Sequence, residues 1–318
     1  EYVFKLAEKK RLILAIDEYP YVARSSKSLA STLQLLIDKY KDTSQLMLIL
    51  CGSSMSYMED EVLAYKSPLY GRRTAQMKIQ PFSFEETCRC FKNFSDEDKA
   101  LAYGIVGGTP QYLLQMDDRL SIEDNIKNTY LNPISFLYEE PTNLLKQEVR
   151  EPAIYTAIIT AIAVGASRMS DISNKVGEDS NICANYLKSL INLGIVKKET
   201  PYGEKTSRKS IYSIEDNMFR FWYRFVPNNN SVIMRGAADI VYRRIEPQLS
   251  EYMGAVFEEI CRQYLIRQNR AGKLPIPFDR IGKYYYDDPV EKKNGEFDIV
   301  TQDDKGYIFY EAKFRKEP

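Results

Sequence analysis

Residues 11–21 read RLILAIDEYPY, an apolar, β-branched run that stops abruptly at two carboxylates, Asp17 and Glu18. A run this short and this apolar is the pattern of a buried strand in a parallel sheet. Leu29, Leu33, Leu36, Ile37 and Tyr40 then recur at helical spacing, and Leu46 to Cys51 (LMLILC) repeats the apolar run before Gly52, Ser53 and Ser54. Strand, helix and strand in that order give a parallel pair. In open α/β sheets ligands bind beyond the carboxyl ends of the strands, where this chain sets its acids beside its hydroxyls.

Outward from that core, 318 residues suffice for two or three domains at ~100–200 residues each, and 44% hydrophobic residues can fill a core in each. Lys plus Arg and Asp plus Glu both number 44, so any charged site is local. Histidine is absent, which excludes a Ser-His-Asp triad, a Cys-His dyad, an H-E-x-x-H metalloprotease and mixed Cys/His zinc sites. Chemistry then falls to carboxylates, Lys, Arg, Ser, Tyr or a carboxylate-bound metal. Five cysteines with no C-x-x-C spacing argue against structural zinc and disulfide stapling and fit a reducing cytoplasm. No apolar run approaches the roughly 20 residues that span a bilayer. Glu1 in place of Met, and Pro318 directly after a strand, lead us to expect a piece of a longer polypeptide.

The strand ending in Asp17-Glu18 and the next ending in Gly52-Ser53 resemble the Walker B and sensor-1 strands of P-loop ATPases. Three later words, SPLYGRRT at 67–74, QPFSFE at 80–85 and GGTPQY at 107–112, resemble the archaeal-type ATPases of the AAA+/STAND group. The resemblance implies an α/β P-loop NTPase core over residues 1–82 and an α-helical lid over 83–150. It implies ATP and Mg²⁺ as cofactors, with Asp17 holding the metal through water and Glu18 polarising the attacking water. Ser53 would be the sensor near the γ-phosphate, and Arg72 or Arg73 would meet developing charge on the phosphoryl group. An arginine supplied by a neighbouring copy would require self-association. The family's G-x-x-x-x-G-K-[ST] loop, whose N–H groups cradle phosphates, occurs nowhere in the 318 residues. Either it lies upstream of Glu1 or the chain is a degenerate relative, and the sequence as given should not hold ATP tightly.

Helix signals continue the chain: a capping box at Ser83 and Glu86, Asp96 before a charged helix, and Thr109 with Pro110. Pro152 to Val164, Met169 to Val176 and Ser180 to Leu193 read as three helices, followed by an extended stretch from Ile195 to Ile214. That is the winged helix-turn-helix pattern, expected over residues 151–226. Its wing carries Lys197, Lys198, Lys205, Arg208 and Lys209, cations suited to DNA phosphates and equally to a solvated hairpin. MFRFWYRF at 218–225 reads as a hydrophobic plug between domains in preference to a base-stacking surface. It also looks like the segment that follows the winged helix in the family's C-terminal region of unknown function.

Residues 227–318 open with a turn and a helix from about Pro247 to Asn269 bearing GAVFEE. EFDIV at 296–300 and YIFYEAKF at 307–314 read as two strands about a turn. Alternation puts Glu311 and Lys313 on one face, with Asp298 able to face them. Asp298-x12-Glu311-x-Lys313, with Glu258 on the preceding helix, resembles the PD-(D/E)xK nucleases and implies a restriction-endonuclease-like α/β domain. The resemblance implies Mg²⁺ or Mn²⁺ on Asp298 and Glu311, with Lys313 orienting water. The motif's proline is missing, Gly295-Glu296-Phe297 standing before Asp298, and a solvated charged hairpin fits the same alternation. Three functions follow: an ATP-dependent switch acting on DNA, a metal-dependent nuclease with the ATPase part as scaffold, or a non-catalytic regulatory interaction module.

Overall fold

The first apolar run forms strand β1, Leu12–Ile16, and the second forms β2, Leu46–Leu50. They pair in parallel from Leu12↔Leu46 to Ile16↔Leu50. Helix α1, Tyr2–Leu6, precedes them, and α2, Tyr19–Ser25, and α3, Leu29–Tyr40, make the crossover. Ile16, Leu48 and Leu50 pack with Tyr19, Ala23 and Leu33 from those helices. Among the described residues only this face is covered. Ile13, Met47 and Ile49 on the other are 67%, 50% and 38% exposed, so the expectation of strands buried on both sides is corrected to one side.

The computed structural model describes residues 1–53, 57–149, 151–202, 210–288 and 293–315, in two compact units, Glu1–Ile79 and Gln80–Pro318. Ser54 and the wing residues Lys205, Arg208 and Lys209 lie outside the described residues. The first unit is the α/β sheet just given.

The second unit starts with α4, Phe84–Cys88, whose capping box forms as the sequence signals: Glu86 N–H donates to Ser83 Oγ, and Ser83 N–H donates to Glu86 Oε2 at 2.8 Å. Serines likewise cap α5, Asp96–Val106, and α7, Ile122–Thr129. Between them α6, Pro110–Leu113, begins with proline at a position that needs no N–H donor. Gly108 is required just before it, because a Cβ there would lie 1.9 Å from Phe82 O. Helix α8, Phe136–Glu148, leads to α9, Pro152–Ala163, α10, Met169–Val176, and α11, Ser180–Asn192. Strands β3, Val196–Glu199, and β4, Ile211–Ile214, follow as an antiparallel hairpin.

Helix α12, Asn217–Phe225, carries the aromatic segment into the centre of this unit. Phe221 meets Tyr130 at a ring distance of 4.8 Å, and Trp222 donates to Tyr138 O at 2.7 Å. The segment is thus core, and its rings bind one another in place of bases. Past α13, Ala238–Ile245, the long helix α14, Leu249–Arg270, adds Tyr252, which donates to Gly104 O at 2.6 Å.

A three-stranded antiparallel sheet closes the described chain: β5, Arg280–Asp288, β6, Lys293–Gln302, and β7, Tyr307–Tyr310, in that order. The strand expected over 307–314 ends at Tyr310. Asp298 Oδ2 accepts the Ala312 N–H at 2.8 Å, so a side chain takes a donor that a longer ladder would have used. Among the described residues no helix is long and apolar enough to cross a membrane.

Candidate functional site

Two groups of acids stand out, one in each unit. In the first, β1 delivers Asp17 and Glu18 to its carboxyl end, and β2 delivers Gly52 and Ser53 beside them. The two ends are tied by backbone: Cys51 N–H donates to Ile16 O at 3.1 Å and Tyr19 N–H to Cys51 O at 2.9 Å. Ser53 Oγ donates to Glu18 Oε1 at 3.4 Å, and Asp17 Oδ1 accepts the Glu18 N–H at 2.9 Å. Asp17 Oδ1 also lies 3.4 Å from Cys51 Sγ, and that bond pushes the Cys51 thiol pKa up. Neither carboxylate has an ion pair among the described residues, and both are exposed.

Glu18 has φ 48 and ψ 39, the one non-glycine with positive φ among the described residues. Such a conformation costs an L-residue about 1–2 kcal/mol, and it persists only where surroundings hold it. The two arginines separate. Arg72 binds Asp38 through two parallel bonds of 2.8 and 2.7 Å and donates to Pro68 O and Tyr70 O, which holds the Asp38 carboxyl below its ordinary pKa. Arg73 is exposed with no ion pair among the described residues.

In the second unit, Lys283 of β5 sits between Glu258 Oε2 of α14, at 3.0 Å, and Glu296 Oε1 of β6, at 3.2 Å. Burial raises the Glu258 pKa, and the charge and hydrogen bond of Lys283 oppose that. Glu311 and Lys313 follow β7 in irregular chain, both exposed. The structure therefore joins Glu258 to Lys283 and Glu296, ties Asp298 to the Ala312 N–H, and leaves Glu311 and Lys313 exposed beyond β7. The sequence pattern did not mark Lys283, whose partner Glu258 lies 25 residues away on α14.

Metal fit differs between the two groups. Asp17 and Ser53 offer the hard oxygens that Mg²⁺ takes, with no cation against them. Glu258 and Glu296 are both engaged by Lys283 and are not free donors. Among the described residues no group of three or more acids, cysteines or histidines is placed to hold a metal ion. In the hairpin, Lys197 pairs with Glu199 at 3.1 Å, while exposed Lys198 lies 5.8 Å from the Tyr212 ring centre.

The parallel strands and the acids at their ends belong to an α/β ATPase domain of the P-loop NTPase type. Residues 1–116 match the family described as an ATPase domain predominantly from Archaea, and residues 222–317 match archaeal and bacterial proteins of unknown function. An uncharacterized protein of Methanocaldococcus jannaschii is 33% identical over 309 residues, which cover 96% of this chain and 68% of that protein. The chain belongs to this family of archaeal-type ATPase-domain proteins.

Proposed function

We propose that this protein is an ATP-hydrolysing switch that acts on DNA. The observation that carries the hydrolysis is the junction of β1 and β2, where Ser53 donates to a Glu18 held in a left-handed backbone conformation. Glu18 accepts a proton from the attacking water, and the Ser53 hydroxyl orients its carboxylate. Asp17 would hold Mg²⁺, and the metal would supply charge neutralisation at the phosphate oxygens. Arg73, exposed and without an ion pair among the described residues, meets developing charge on the phosphoryl group, supplied within the chain or by a second copy.

The 318 residues contain no G-x-x-x-x-G-K-[ST]. The uncovered Ile13, Met47 and Ile49 face supports a sheet that is completed, in the natural full-length protein, by further α/β elements carrying that loop. Three helices and a hairpin over residues 152–214 support a winged helix, with Lys198 exposed on the described part of its hairpin. In the natural full-length protein, Asp17→Asn is expected to lose Mg²⁺-dependent ATP hydrolysis. Turnover equal to wild type would contradict the reading.

The resemblance of Asp298, Glu311 and Lys313 to a nuclease motif, with Glu311 and Lys313 both exposed after a three-stranded sheet, supports a second reading, a metal-dependent nuclease. Supercoiled plasmid incubated with Mg²⁺ or Mn²⁺ should then be nicked by wild type and spared by Asp298→Ala. Plasmid left intact by wild type removes this reading.

A further inference from the structure

The carboxylate that carries the ATPase reading has no cation against it among the described residues, so its place is fixed by other contacts. Gly52 lies directly under the ring of Pro20. A Cβ built on Gly52 would stand 2.3 Å from Pro20 Cδ and 2.7 Å from Pro20 Cγ. Pro20 and Tyr19 are buried, and Tyr19 N–H is bonded to Cys51 O, so the segments 18–20 and 51–53 are locked at the peptide before the glycine and at the ring above it. Glu18 is the residue that caps the start of α2, and its carbonyl accepts the Tyr21 N–H at 2.9 Å. The left-handed turn is therefore clamped on its helix side by the proline and on its strand side by Asp17.

We propose that Pro20 and Gly52 are positioning residues that hold Glu18 in its left-handed conformation with its carboxylate against Ser53. The proposal rests on the ATPase reading and names what sets the geometry of that site. A proline ring cannot swing aside by side-chain rotation, because its φ and its ring are one unit. Any group added at Gly52 must therefore shift the backbone of residues 18–20. Once the clamp loosens, Glu18 relaxes to an ordinary conformation and its carboxylate leaves Ser53.

The test uses the natural full-length protein, with steady-state ATP turnover and thermal unfolding of wild type, Gly52→Ala, Pro20→Ala and the double variant. Gly52→Ala is expected to lower kcat about tenfold or more at a KM for ATP within about twofold of wild type, as misplacement of a reacting group does. Pro20→Ala, which leaves a gap, should lower kcat less. The double variant should turn over faster than Gly52→Ala, because Pro20→Ala removes the two carbons that the new methyl group strikes. A structural role alone predicts shifts in melting temperature with kcat per folded molecule unchanged. An active wild type with an unaffected Gly52→Ala, or a double variant no faster than Gly52→Ala, overturns the proposal and leaves the ATPase reading standing. A wild type that hydrolyses no ATP overturns both. Should Gly52→Ala fail to fold, Pro20→Ala decides alone, and an unchanged kcat overturns the proposal.

Discussion

At the ends of β1 and β2, Asp17 and Glu18 stand in solvent with a backbone N–H, a thiol and a hydroxyl for partners, and one of them is strained. Beside β5 and β6, Glu258 and Glu296 share the ammonium of Lys283. The residue types are alike, but the physics differs. A half-buried carboxylate needs a fixed counter-charge to be tolerated, and once it has one it is a tie between helix and sheet. An exposed carboxylate needs none, so its charge remains available to a ligand, and strain beside it has no evident structural use.

The largest effect that can break this contrast is Lys283→Met. With side chains about a quarter exposed, 25% and 24%, the pair lies between the buried and surface limits, and loss of the lysine should cost about 2 kcal/mol in denaturant unfolding. Glu258→Gln/Lys283→Met should recover most of it. If Lys283→Met unfolds like wild type, the second group is as open as the first. Glu18→Gly sharpens the other side of the comparison: glycine removes the left-handed penalty but adds chain entropy, for a net gain of about 0.5–1 kcal/mol. A loss of stability would mean that the side chain, not the site, explains the conformation.

Asp216, at the start of α12, is the intermediate case. Desolvation pushes its pKa up to about 6, against the Phe219 and Met218 N–H groups and Arg220, which lower it. The folded state therefore holds this proton more tightly than the unfolded chain, whose aspartate titrates near ~3.9. Stability contributed by the protonated carboxyl is present below about pH 4 and is lost as pH rises through about 6. Asparagine keeps the cap without the charge. Asp216→Asn should thus match wild type in acid and melt about 2 °C or more higher at pH 7 to 8. Equal melting curves at pH 8 would show that the carboxylate is solvated in the fold.

The first group of acids was largely legible because its signals are local: two apolar runs, each ended by polar residues, and helical spacing between them. The β1–β2 register follows from that, and with it the meeting of Glu18 and Ser53. Helix starts at Ser83 and Thr109 were legible for the same reason. What escaped was non-local. Nothing adjacent to Arg72 indicates Asp38, and nothing in YIFYEAKF shows that Asp298 will cap the strand at Tyr310. The same holds for Lys283, whose carboxylate partner Glu258 lies on a helix before the sheet begins.

The most direct measurement is ATP turnover by the natural full-length protein carrying Glu18→Gln, set beside the same protein carrying Glu258→Gln. The account predicts that Glu18→Gln loses about 100-fold or more in kcat while still binding ATP, as expected for removal of a general base. Glu258→Gln should hydrolyse ATP at the wild-type rate. Wild-type turnover by Glu18→Gln, or its abolition by Glu258→Gln alone, would contradict the account.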